Sequence, residues 1–172
     1  MRLLLAVLAL ATLAPAQTRP EVSPLAKEFV GNDWLNAKPL TLASRQGKPT
    51  LVAFWTFGCS NCQANLPVYN RLYAKYKSKG VELIAIHTPE TEGERKRSNV
   101  VRHIEKFGIN YPVLIDNDSH NWNRWKVQFW PTLFLVDANG KVRYRWEGEL
   151  EYGGANGEAK VSAMLDGLLR ER

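Results

Sequence analysis

From Thr50 to Phe57 every position except the two threonines is apolar (TLVAFWTF), the pattern of a strand covered on both faces. After Gly58 the pattern changes period. Leu66, Tyr69, Leu72, Tyr73 and Tyr76 recur at helical spacing, which predicts a helix from Cys59 to Lys79 with Gly80 as its stop. Pro67 falls inside it and is expected to kink the axis without ending it. Val81 to Ile86 (VELIAI) reads as a second buried strand, and Asn99 to Phe107 as a helix closed by Gly108. Tyr111 to Ile115 predicts a short strand and Ser119 to Lys126 a short helix, with Trp122 and Trp125 packing on the sheet. Thr132 to Val136 and Lys141 to Trp146 flank Asp137-Ala138-Asn139-Gly140, a hairpin signal. A last helix, Gly157 to Arg170, gathers Val161, Met164, Leu165, Leu168 and Leu169 on one face. Ahead of all these, Pro39 to Leu42 predicts a short extended piece. Early strands alternate with helices and late strands pair locally. The fold class is therefore α/β, a mixed sheet between helices.

The first residues follow another pattern. Met1-Arg2 precedes Leu3 to Ala14, apolar but for Thr12, and Ala14-Pro15-Ala16 follows. A charged start, a short apolar middle and an A-x-A ending are the parts of a secretory signal peptide, and the apolar part is short for a permanent span. Residues 1–16 are thus expected to be a signal peptide, 17–28 a flexible tether and 29–172 the domain. The expected location is exported, periplasmic or secreted, with a membrane tether if the signal peptide is retained.

Composition narrows the function. At 172 residues, 45% hydrophobic and 23% charged, the chain fits one globular domain. The 23 Lys and Arg against 17 Asp and Glu give a charge of +6, scattered rather than striped. No nucleic-acid partner is expected, because a basic stripe with a readable motif is missing. The run Glu90 to Arg102 (ETEGERKRSNVVR) reads as a solvated face.

Candidate chemistry sits where the first buried strand meets its helix. Cys59 and Cys62, the only cysteines, are three apart near a helix N-terminus. The unpaired N–H groups and positive dipole end there favour a thiolate on Cys59, while Cys62, one turn inside, is placed to resolve a mixed disulfide. Two thiols exclude a four-thiolate zinc site. A copper-chaperone alternative would use Cys59, Cys62 and His87, a soft donor set, although His87 reads more simply as a structural loop residue. His103 and His120 read as solvent-facing, and Asp116-Asn117-Asp118 as a turn without the full calcium-loop pattern.

Six segments carry a resemblance: Trp34-Leu35-Asn36, Leu40-Thr41-Leu42, Phe54-Trp55-Thr56, Cys59 with Cys62, His87-Thr88-Pro89-Glu90 and Trp130-Pro131-Thr132. Together they resemble the thioredoxin superfamily, and within it the exported TlpA/ResA-like thiol-disulfide oxidoreductases, close to the thioredoxin-like domain of DipZ-like proteins. The match runs from about Trp34 to Tyr152. It implies a thioredoxin-like three-layer α/β/α fold and a Cys59–Cys62 pair exchanging electrons with extracytoplasmic protein thiols and disulfides. It implies a cis peptide at Pro131 facing that pair, with Trp55, Trp130 and Pro131 around the substrate. No cofactor or metal is implied. The expected role is that of a monomeric reductant fed by a membrane electron-donor protein, with an oxidant or isomerase as the alternative direction.

Two positions depart from the family pattern. The resemblance places a carboxylate on the central strand where this chain has Ala53, and another after the second cysteine where it has Asn65. Either would carry protons for the buried thiol. Glu90, His87 and Asp116 are the remaining candidates for that task.

Overall fold

In a computed structural model the described residues are 24–171. The expected signal peptide, 1–16, lies outside them, as does the tether as far as residue 23. Six strands form one mixed sheet in the order β1-β4-β3-β2-β5-β6. They are β1 (Trp34–Leu35), β2 (Thr50–Trp55), β3 (Glu82–His87), β4 (Val113–Ile115), β5 (Thr132–Val136) and β6 (Val142–Glu147). The helices are α1 (Ser60–Tyr76), α2 (Glu92–Arg95), α3 (Arg97–Lys106), α4 (His120–Arg124) and α5 (Gly157–Arg170). The structure is the expected α/β fold.

Topology decides which face each helix covers. β2 pairs in parallel with β3, and β3 with β4, so two successive right-handed crossovers run in one direction and leave α1 and α3 on the same face. There Leu51, Ala53 and Trp55 of β2 meet Leu66, Tyr69 and Leu72 of α1, Val100 and Ile104 of α3, and Val161 and Leu165 of α5. The opposite face packs Val52 and Phe54 against Trp125, Val127 and Phe134. Phe29 closes that side, its ring stacked on Trp125 at 6.0 Å. β5 adds antiparallel to β2 and β6 antiparallel to β5, and β6 alternates half-buried with exposed residues as an edge strand does.

Two stretches behave differently from the pattern. Pro39 to Leu42 forms no strand: the N–H of Leu42 is taken by the Glu28 carboxylate at 2.7 Å, leaving no ladder to join. The strand on this edge is β1, antiparallel to β4. Residues 24–26, expected in the tether, lie along the β5–β6 hairpin, with Ala26 N–H donating to Gly140 O at 2.8 Å and Val142 N–H to Pro24 O at 2.9 Å. Among the described residues no helix is long and apolar enough to cross a membrane.

Candidate active site

All six residues of β2 are buried, so the strand delivers its C-terminal end to a fixed place at the edge of the core. Thr56 to Gly58 turn the chain, and Cys59 takes the N-cap of α1 with extended dihedrals (φ −81°, ψ 117°). Its sulfur accepts the N–H of Cys62 at 3.3 Å, the place an N-cap oxygen usually fills. Cys59 is half-buried and Cys62 fully buried. Burial pushes the Cys62 thiol well above its ordinary range, and its hydrogen bond with Cys59 pushes the same way. One sulfur can therefore meet a partner, and the other waits protonated behind it.

The wall opposite comes from the turn before β5. The Trp130–Pro131 peptide is cis, and Cys59 Sγ lies 4.0 Å from the Trp130 carbonyl oxygen. The Trp130 indole N–H donates to Thr88 O at 3.1 Å, which joins this turn to the loop after β3. Phe129 beside it is 57% exposed, an apolar ring at the rim. Trp122 is only half-buried and lies against Trp130, while Trp125 joins the core. Trp55, expected beside Trp130 and Pro131, is fully buried. It ends the central strand and points into the α1 side of the core, so it cannot line a groove.

No carboxylate stands beneath the pair on β2 or α1. Ala53 is core. Asn65 is buried and bridges α1 to the loop after β6: it donates to Gly148 O at 3.1 Å and accepts from Leu150 N–H at 2.8 Å. Asp116 is committed elsewhere, accepting from the N–H groups of Asn121 and Trp122, the Asn121 amide and the Thr88 hydroxyl. His87 is fully buried, with Nε2 3.3 Å from the Thr56 hydroxyl. Burial pulls it down to about 4, against the opposing pull of Glu94, so it is neutral near pH 7. No group of three or more His, Cys, Asp or Glu that could hold a metal ion occurs among the described residues; His87 does not join the two cysteines in one. His103, expected to face solvent, is half-buried. It stacks on Phe57 at 4.0 Å, within 4° of parallel, whereas His120 is exposed.

Glu94 was hidden in the charged run. It is 3% exposed and presses on Gly58, next to Cys59. Thr91 and Glu94 form a capping box, and that T-x-x-E spacing was the one signal that could have found it.

The AhpC/TSA family matches residues 22–145. The chain is 38% identical over 122 residues to Protein DipZ of Mycobacterium bovis, which covers 69% of this chain and 18% of DipZ. It is 34% identical over 127 residues to thiol-disulfide oxidoreductase ResA of Geobacillus thermodenitrificans, covering 74% of this chain and 70% of ResA. Among solved structures, a thioredoxin-family thiol:disulfide interchange protein from Chlorobium tepidum superposes with TM-score 0.69 at 24% identity, covering 86% of this chain and 97% of that one. A thiol-disulfide isomerase from Corynebacterium glutamicum gives 0.72 at 20% identity, covering 86% and 96%. Those two show the fold. With the family match and the ResA relationship beside them, the chain belongs to the AhpC/TSA family.

Proposed function

We propose that this chain is an extracytoplasmic reductant of protein disulfides that works through Cys59 and Cys62. The observation that carries the reading is the unequal pair: a reachable sulfur capping α1, and a sealed thiol one turn behind it. Cys59 as thiolate attacks a substrate disulfide, forming a Cys59–substrate bond and releasing one substrate thiolate, which takes up a proton. Cys62 then gives up its proton and attacks Cys59 Sγ. The second substrate thiol leaves, and a Cys59–Cys62 disulfide remains. Two electrons pass to the substrate, and a dithiol electron donor at the membrane returns them. An extended substrate segment would lie along Trp130 and Pro131, with Phe129 at its edge.

The reducing direction is supported by what surrounds Cys59. Phe57, Gly58, Ser60 and Asn61 bring no cation, and the buried charge next to the turn is the carboxylate of Glu94. A strongly oxidising pair needs its reduced form stabilised, commonly by positive charge near the thiolate. Export is supported by the leader pattern in residues 1–16. The similarity to thiol-disulfide oxidoreductase ResA supports a thiol-disulfide role. The test equilibrates the protein in glutathione buffers and quantifies the two redox forms. Pairs in this fold span about −270 to −120 mV. A disulfide at a poise of about −150 mV fits the proposal, whereas a pair still reduced there makes the protein an oxidant.

A further inference from the structure

We propose that Glu94 is a positioning residue for disulfide exchange: its buried carboxylate clasps the turn carrying Cys59 to the loop that holds Trp130. Oε2 accepts the N–H of Glu90 at 2.6 Å and of Thr91 at 3.0 Å. Oε1 faces the other way, against Gly58, where a Cβ would lie only 1.9 Å from it. The glycine supplies space, since Gly58 does not have a positive φ that would require it.

The contacts close into a ring around the mouth of the site. Cys59 Sγ meets Trp130 O at 4.0 Å, and Trp130 Nε1 meets Thr88 O at 3.1 Å. The chain then runs from Thr88 to Glu90 and Thr91, Glu94 joins these to Gly58, and Gly58 is bonded to Cys59. Every link but the first is covalent, a hydrogen bond of 2.6 to 3.1 Å or a close packing contact. The first is the long one, at the place where a substrate sulfur would enter.

A cap alone does not account for this placement. The glutamate of a capping box needs only the N-cap N–H, and α2 is four residues long and otherwise exposed. Burying a carboxylate is unfavourable unless hydrogen bonds offset its desolvation. Here the carboxylate is nevertheless drawn in, holds two N–H groups and contacts the cysteine turn. Loosening it would let Trp130 and the Cys59 turn drift apart while leaving Cys62 and α1 in the core.

This inference rests on the proposed exchange with protein disulfides, and the test separates the two. In the full chain, Glu94→Ala is expected to lower kcat/KM for insulin disulfides about tenfold, mainly through KM, because orientation is lost. Reaction with a small aromatic disulfide should stay within about twofold of the unaltered protein. Glu94→Gln keeps one oxygen for both N–H groups and should recover to within about threefold. Gly58→Ala should lose as much as Glu94→Ala, yet add nothing to it in the double variant, because the vacated carboxylate leaves room for the methyl group. The proposal is overturned if Glu94→Ala matches the unaltered protein with insulin, if both disulfides slow alike, if Glu94→Gln falls as far as Glu94→Ala, or if the two losses multiply. An unaltered protein inert toward insulin overturns the functional reading instead. Amide exchange at Glu90 and Thr91 then decides the clasp by itself: protection lost in both Glu94→Ala and Gly58→Ala supports it, and protection retained refutes it.

Discussion

The indole of Trp130 rests on that of Trp122, ring centres 3.9 Å apart and planes 31° from parallel. The contact joins the turn before β5 to α4 and sets the angle at which Trp130 walls the Cys59 mouth. A groove wall held in this way costs a partner little ordering on binding. Trp122→Ala should therefore raise KM for a protein disulfide several-fold, while the reaction of Cys59 with a small alkylating reagent stays near its normal rate. Equal slowing of both reactions would show that the stack supports the fold rather than the groove.

The burial difference between the cysteines makes a sharper prediction. Cys59 is half-buried, and Cys62 has no exposed surface. In cells, Cys62→Ser should accumulate mixed disulfides through Cys59, because the resolving thiol is gone. Cys59→Ser should accumulate almost none, since its remaining sulfur is sealed. Non-reducing gels of the two variants give the answer, and comparable trapping by both would overturn the assignment of nucleophile and resolving thiol.

Asn65 carries a stability prediction. Its amide also donates to the Tyr69 hydroxyl at 3.2 Å, so one buried side chain serves α1 and the loop after β6 together. Asn65→Ala would leave the Leu150 N–H and the Gly148 carbonyl without their side-chain partner, a loss of about 1–3 kcal/mol for each buried group so exposed. The fall should appear as a lower urea midpoint at unchanged slope. A midpoint equal to that of the unaltered protein would mean that water replaces the amide at no cost.

The sheet and the cysteine pair were legible because their signals are local. Six consecutive buried positions in β2, two thiols at helical spacing and a proline at the start of β5 need no tertiary knowledge. Trp55 was misread for the opposite reason. A tryptophan four residues before Cys59 sits close to the site in sequence, but strand alternation turns it into the α1 face, and only the packing of α1 on that face shows it. Glu94 was missed because exposed and buried carboxylates look alike in a charged run. What draws it inward is the missing side chain at Gly58, thirty-odd residues away in the chain. Asn65 reads in sequence as the loss of an acid; its partners, 148 and 150, lie beyond any local window.

His87 gives stability a pH dependence whose sign follows from its burial. Unfolded, it takes up a proton near 6.5; folded, burial holds it to about 4, with Glu94 pulling it up and His103 pushing it down. Above the unfolded value both states are neutral, and the stability is fully present. As pH falls from there toward 4, the unfolded chain binds a proton that the folded one refuses, so stability is lost; below 4 the loss levels off. With one pKa unit worth 1.36 kcal/mol, the loss from about pH 7 to about pH 4.5 is on the order of 2 kcal/mol. His87→Gln keeps a polar partner for Thr56 but has no proton to bind. Urea unfolding of both proteins at the two pH values should show the unaltered protein losing about 2 kcal/mol more than the variant. Parallel losses would mean that other groups govern the acid limb and that His87 is protonated in the folded chain.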